Sequence, residues 1–407
     1  MNRRIAPALA VVLSLLGGAQ APAQTAKKIK HVFIIVLENE GYDTTFGPTS
    51  KAPYLSQTLP KQGVLLTQYY GTGHASLDNY VAMISGQAAT PDTRNDCQNY
   101  LDFKLTGMTS DGQAMGSGCV YPSSILTVAD QLTAANKTWH AYMGDMGNDP
   151  NREATTCGHP ALNGADLTQT AEAPSASLPT GDFYATRHNP FAYFHSIIDS
   201  SDCNNNVVPL TQLAQDLQSA ATTPNYVFIT PNLCDDGHDA PCADGRPGGL
   251  VSADKFLSTT VPQIMSSPAY QESGLLMILF DEGGFDTTVP DGKGGYVISA
   301  NGLFCCNQQP GPNLAPFPQS STISIYTLSF NSYGGDRTGA VLLSPFLAPG
   351  TVSNVPFNHY SMLKTVEDLF GLSHLGYANA PGLVPFFGCV TGGIEETSRS
   401  KQFATCR

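Results

Sequence analysis

The sequence predicts an α/β protein built on a mainly parallel sheet with helices on both faces. Three observations carry that expectation. Residues 30–37 and 274–280 are almost unbroken apolar runs, and runs of that length suit parallel strands buried on both faces. Helical periodicities alternate with further short apolar runs between and after them, the order that places a crossover helix between parallel strands. Both long runs end in polar pairs, Glu38-Asn39 and Asp281-Glu282, and open α/β sheets collect ligands outside the carboxyl ends of their strands.

The elements follow in order. After the first strand, residues 76–86 read as a helix with Leu77, Tyr80, Val81 and Ile84 on one face, Ser76 as N-cap and Gly86 as the stop. A Gly/Ser/Asp-rich excursion covers 87–123. A helix near 124–135 then leads into a strand near 138–143, and 144–206 reads as loop with short helical pieces. Leu210, Leu213, Ala214 and Leu217 mark an amphipathic helix feeding a strand at 225–230. A helix around 253–265 returns to the second long run. Residues 283–336 are a Gly/Asn/Pro-rich insertion, expected as a lid or a small extra sheet. A short strand at 339–343 and a helix at 361–370 complete the pattern.

The chain has 407 residues, a formal net charge of −13 and only 13% charged residues. An acidic surface of this kind argues against bulk electrostatic binding to nucleic acid or an anionic membrane. A phosphate-bearing ligand would therefore need local positive charge, from a metal or from histidines. Arg3-Arg4, the apolar stretch to Leu16 and the small residues Ala21-Pro22-Ala23 read as an export leader cleaved after Ala23. The remainder, 24–407, is expected as a single domain, periplasmic or secreted, since no later run is long enough to span a bilayer. Ten cysteines in an exported chain favour disulfides. Cys234 and Cys242 bracket a polar loop and could close it, whereas the adjacent Cys305-Cys306 is expected to bond to two different partners. No paired C-x-x-C spacing supports a zinc site.

Three strand ends carry polar clusters: Glu38/Asn39, Asp235/Asp236/His238/Asp239, and Asp281/Glu282, with His359 just before the last helix. Carboxylates with a few histidines are the donor set a divalent metal needs at a hydrolytic site. Ser76 at a helix N-terminus suits a nucleophile, because unpaired N–H groups there favour an anion. His74 and Asn79 could hold a phosphate oxygen. Each residue alone has a plainer explanation, the serine as a cap and each acid as a loop residue. All three clusters at one sheet edge point to a site. His31, His195 and His374 read as packing or surface residues.

Several segments strengthen this reading together. They are Leu37-Glu38-Asn39-Glu40-Gly41-Tyr42-Asp43, His74-Ala75-Ser76-Leu77-Asp78-Asn79-Tyr80, His188-Asn189-Pro190-Phe191, the stretch from Pro231 to Asp239, Asp281-Glu282, and the helix from Tyr360 to Phe370. In this order, over about 30–372, the chain resembles the phosphoesterase family that holds bacterial acid phosphatases and phospholipases C, within the alkaline-phosphatase-like superfamily.

The resemblance implies that Glu38, Asn39, Asp281 and Glu282 hold a divalent metal together with Ser76, the nucleophile. It implies that His238 contacts the phosphate or protonates the leaving oxygen, and that His188 and Asn79 line the phosphate site. His359 and Asp235 could complete a second metal site, with the choice among Asp235, Asp236 and Asp239 left open. Glu40 and Asp78 depart from the family pattern, Asp78 standing where a proline is usual and loosening a turn. The implied activity is an exported, metal-dependent acid phosphatase acting on monoesters through a phosphoserine. The competing readings are a phospholipase C-type phosphodiesterase, a phosphoryl transferase, and a non-catalytic phosphate- or glycan-binding protein on the same fold.

Overall fold

Both long apolar runs become neighbouring strands at the centre of one sheet in the computed structural model, which describes residues 29–323, 325–387, 396–397 and 400–401. The leader expected at 1–23 lies outside the described residues. The sheet uses β1 (His31–Leu37), β2 (Val64–Leu66), β3 (Trp139–Met143), β4 (Val207–Pro209), β5 (Tyr226–Thr230) and β6 (Gly274–Phe280). The insertion adds β7 (Thr287–Pro290), β8 (Tyr296–Ala300), β9 (Gln319–Ile323) and β10 (Tyr326–Phe330), and β11 (Ala340–Leu343) and β12 (Thr351–Ser353) return to the main sheet.

The main sheet runs β12-β2-β11-β6-β1-β5-β3-β4. Its pairings are parallel, except that β11 runs antiparallel to both β2 and β6. The fold class is therefore α/β with a mainly parallel sheet. Side chains alternate across the strands, so β1 divides its residues between two cores. Val32, Ile34 and Val36 pack in one, with Leu77 and Tyr80 of α1 (Ser76–Ser85), Val128 and Leu132 of α2 (Val128–Ala134), and Leu363 of a last helix. Phe33, Ile35 and Leu37 pack in the other, with Leu250, Ala253, Leu257, Val261 and Ile264 of α3 (Gly249–Ser266). Truncating Leu257, fully buried there, to Ala would cost about 2–5 kcal/mol.

Local chemistry moves several boundaries. Ala75, in extended conformation, is the N-cap of α1, so Ser76 is its first helical residue and not the cap. Gly86 ends α1 at φ 68°, as a left-handed stop should. Asp78 lies in the first turn of α1, not in a turn it could loosen. Helix α2 starts later than the periodicity suggests, because Thr127 and Asp130 form a reciprocal capping box. The helix expected near 210–217 is only a 3₁₀ turn (Leu210–Gln212) and a short helix (Leu213–Asp216). It stops where the Thr222 and Thr223 hydroxyls take the Asp216 carbonyl, each at 2.9 Å. The last helix, α4 (His359–Phe370), is capped by the Asn358 side chain.

The insertion forms a four-stranded sheet in the order β7-β8-β10-β9. Cys234 pairs with Cys242 as the spacing suggested, and Cys97–Cys119 and Cys157–Cys203 close two further loops. Cys305 and Cys306 bond to each other, which corrects the expectation of two separate partners. The chain turns sharply there, with Cys306 at φ 66° and Asn307 at φ 55°, and this brings the adjacent sulfurs together.

Candidate active site at the carboxyl edge of the sheet

Glu38 is the first residue past β1, and it is buried. Its Oε2 accepts a 2.8 Å hydrogen bond from Ser76 Oγ, and its Oε1 accepts a 2.6 Å bond from the Tyr80 hydroxyl. Ser76 and Tyr80 are four residues apart, so both project from one face of α1 toward the same carboxylate. The Asp96 carboxylate takes the Leu77 N–H at 3.0 Å, fixing the start of the helix. Burial pushes Glu38 up to about 7. His188 Nε2 lies 3.4 Å from Glu38 Oε1, and the ring stacks on Tyr80 with centroids 5.4 Å apart. Burial, helped by Arg187, holds His188 well below its usual value and therefore neutral.

The acidic loop after β5 is divided by Gly237, whose φ of 115° suits only glycine. Asp236 turns inward and is fully buried, with Oδ2 3.8 Å from His188 Nδ1. His238 turns outward, its side chain half exposed and its Nδ1 3.1 Å from Asp239. The hydrogen bond to Asp239, opposed by partial burial and helped by Asp236 and Glu38, raises His238 to about 9. Asp235 sits apart from this group, accepting a 2.9 Å bond from Arg246. The loop therefore brings Asp236 to the site where Asp235 was expected.

At the end of β6, Asp281 Oδ1 accepts the backbone N–H groups of Asn39 at 3.2 Å and Glu282 at 2.6 Å. Asn39 adopts φ 53°, a left-handed conformation that Asn tolerates better than most residues. His359 has no nitrogen left for a metal. Its Nε2–H donates to the Asp281 carbonyl at 2.5 Å, and its Nδ1 accepts from the Tyr69 hydroxyl at 2.9 Å. Burial lowers it to about 3. The expected ligand instead braces the backbone of Asp281.

Asn79 also acts on backbone. Its Oδ1 accepts the N–H groups of Thr72 and Gly73, and its Nδ2 donates to the carbonyls of Gly73 and Ala75. This side chain shapes the loop that leads into Ser76. The same loop carries His74, whose Nδ1 lies 3.5 Å from Glu282 Oε2 and whose Nε2 lies 2.7 Å from Asp336. Burial works against a charge on His74, but Glu282 and Asp336 outweigh it and raise the ring to about 10. The Asp78 carboxylate packs against Gly73, where a Cβ would stand 2.3 Å from Oδ1, so the loop needs glycine there. A cavity of about 610 Å³ opens beside these groups, lined by Glu40, Tyr42, Phe285, Asp286, Asp336 and Arg337 among others.

The donor set fits a divalent cation. Asn39 Oδ1, Asp236 Oδ2 and Asp281 Oδ2 are buried and accept no hydrogen bond from the described residues. Burial pushes Asp236 and Asp281 well above the usual carboxylate range, and the proximity of Glu38 adds to it. Buried oxygens left this way call for a compensating cation, and hard oxygen donors suit a divalent metal. Glu282 faces His74 and Asn79 instead. Among the described residues, the donor atoms that lie within 4.8 Å of one another are those of Cys234, Cys242 and Asp244, but the two sulfurs form a disulfide and offer no thiolate.

The sequence names Asp236 as one of three alternatives without choosing it, and it gives no role to Tyr80 or Asp336. Tyr80 falls on an apolar face in the sequence, and its i+4 spacing from Ser76 is the signal that links it to the same carboxylate. Asp336 gave no signal, because it reaches His74 across 262 residues.

The family model of the Phosphoesterase family matches residues 49–373, most of the chain. This chain belongs to the Phosphoesterase family. Similar curated proteins include a probable acid phosphatase of Kluyveromyces lactis, 24% identical over 85% of this chain and 59% of its own length. A phosphate-repressible acid phosphatase of Penicillium chrysogenum is 27% identical over 61% of this chain and 47% of its own. A phosphatidylinositol-3-phosphatase of Mycobacterium tuberculosis is 22% identical over 88% of this chain and 83% of its own. The chain spans only about half the length of the first two relatives. Among solved structures, a protein in the alkaline phosphatase superfamily from Vibrio parahaemolyticus aligns over 85% of this chain and 67% of its own, with a TM-score of 0.45 and 12% identity. No helix among the described residues is long and apolar enough to cross a membrane.

Proposed function

We propose that this phosphoesterase is an exported, metal-dependent acid phosphatase that hydrolyses phosphate monoesters through a phosphoserine at Ser76. The observation that carries the reading is the 2.8 Å hydrogen bond from Ser76 Oγ to the buried Glu38, made at the first residue of a ten-residue helix. Glu38, Asn39, Asp236 and Asp281 would hold the divalent cation with Ser76. Once bound, that cation supplies positive charge to the phosphoryl oxygens and to the serine oxygen.

The residues of the chain divide the remaining work. The positive end of the α1 dipole faces the incoming phosphoryl group. Ser76 Oγ forms the new P–O bond and passes its proton to Glu38, while Tyr80 and His188 fix that carboxylate. The ester P–O bond breaks, and His238 gives the leaving oxygen a proton. Its outward ring, with Nδ1 held by Asp239, keeps Nε2 for that transfer. Water then attacks the phosphoserine and gives a proton back to His238, the Ser76–P bond breaks, and the serine oxygen recovers its proton from Glu38. Glu282 orients His74 and Asn79.

The four disulfides among the described residues support export. The relatives' names favour the monoester reading, since they are acid phosphatases and a phosphatidylinositol-3-phosphatase. The test is kcat/KM for p-nitrophenyl phosphate beside p-nitrophenyl phosphorylcholine at pH 5.5, after chelation and metal add-back. Preference for the monoester is the expected result. Preference for the diester would move the protein to the phosphodiesterase reading, and metal binding with turnover of neither would leave a binding protein.

A further inference from the structure

His74 is held from both sides by elements far apart in the chain. On one side, Asp336 Oδ2 accepts its Nε2–H at 2.7 Å. On the other, Nδ1 is buried, makes no hydrogen bond among the described residues, and faces Glu282 Oε2 at 3.5 Å. The insertion also supplies both rings that pack against the imidazole. Phe285 stacks on it at 5.9 Å and 16°, and Phe330 lies 6.1 Å away.

Asp336 is itself fixed firmly enough to act as an anchor. Its Oδ1 accepts the Leu303 N–H at 2.6 Å, and its Oδ2 also accepts the Gly302 N–H at 3.2 Å. Its backbone carbonyl takes the Gly71 N–H at 3.0 Å, which ties the insertion to the loop preceding Ser76. All three side-chain partners are donors, so both oxygens must accept. An amide in the same place could satisfy one side only, because its NH₂ would meet another N–H.

We propose that Asp336, contributed by the insertion, is a positioning residue that fixes His74 through Nε2 and so sets how the imidazole, whose Nδ1 faces Glu282, stands toward the phosphoryl group on Ser76. The inference rests on the reading of Ser76 as the phosphoryl acceptor. A carboxylate that fixes one ring nitrogen sets where the other points, and outer partners of this kind typically matter by about 10–100-fold. The small sheet is then part of the catalytic apparatus and more than a cover over it. The plainer role for Asp336 is to hold the insertion in place, and a comparison of kcat alone would not separate the two.

A double-mutant cycle does separate them. Asp336→Asn, His74→Ala and the double variant are assayed with p-nitrophenyl phosphate, with orthovanadate inhibition and thermal midpoint measured alongside. Asp336→Asn is expected to lower kcat/KM about 10–100-fold and to weaken orthovanadate inhibition in parallel. In the His74→Ala background the same change is expected to cost less than about twofold. An equal loss in both backgrounds would make Asp336 purely structural and overturn the proposal, as would wild-type kcat/KM in Asp336→Asn. Should Asp336→Asn not fold, Asp336→Glu keeps the charge but displaces the oxygens, and the same cycle with it carries the same outcomes. Asp291→Asn, an exposed acid of the same insertion, serves as the control at wild-type rate. Absence of phosphate-ester turnover in the wild-type protein would instead remove the underlying reading.

Discussion

Ser76 and Glu38 stand 38 residues apart in the chain and 2.8 Å apart in space, a nucleophile-type hydroxyl donating to a buried carboxylate. Neither β1 nor α1 makes that contact alone. The main sheet sets one end and the start of α1 sets the other.

The first prediction concerns the hydroxyl. Ser76→Ala should lower kcat with p-nitrophenyl phosphate by at least about 10³-fold, the scale seen when a nucleophile is removed. The thermal midpoint should change little, since Ser76 is the first residue of its helix and Tyr80 still serves Glu38. Retained turnover would remove the serine from its role.

A second prediction separates two neighbouring acids. Asp236→Asn should abolish most turnover, because its buried carboxylate lies among Glu38 and His188. Asp235→Asn should leave kcat within about threefold and cost less than about 1 kcal/mol, as it breaks only a partly exposed pair with Arg246. The reverse ranking in a steady-state assay would restore Asp235 to the site.

Metal removal gives a third. A ligand that binds only the folded state raises the thermal midpoint with its concentration. Chelated protein titrated with Mg²⁺, Mn²⁺, Ca²⁺ or Zn²⁺ should show such a rise with at least one ion, and Asp281→Asn should reduce it. A flat response to all four ions would rule out the oxygen-rich site.

The fourth concerns stability against pH, away from the site. Glu367 of α4 is buried, its Oε1 takes the Leu375 N–H at 2.8 Å, and its Oε2 has no hydrogen-bond partner among the described residues. Burial raises it from 4.5 to about 8. Below pH 4.5 both folded and unfolded chains hold the proton. Between 4.5 and 8 the unfolded chain has lost it while the folded chain keeps it, so stability falls by about 1.4 kcal/mol per pH unit. Glu367→Gln should remove that slope, making its advantage over the wild type larger at pH 8.5 than at pH 5 in urea denaturation. An equal difference at both pH values would contradict the assignment.

The strands at the centre of the sheet, and the edge where the chemistry collects, are legible in the amino-acid order. Apolar runs and terminal acids are local signals, legible because burial on both faces demands continuous hydrophobicity. Helix α3 was legible for a similar reason, with a periodicity that survives any packing arrangement. Which polar groups face one another emerges from the packing of distant segments. Asp235 and Asp236 differ by one residue, yet the turn around Gly237 sends one to Arg246 and the other to Glu38 and His188. His359 looked like a metal ligand until Tyr69 and the Asp281 carbonyl occupied both of its nitrogens. Asp336 was invisible, because its bond to His74 spans 262 residues and no local pattern encodes so distant a partner. Hydrophobic periodicity depends on neighbours in sequence, whereas hydrogen-bond pairing depends on neighbours in space.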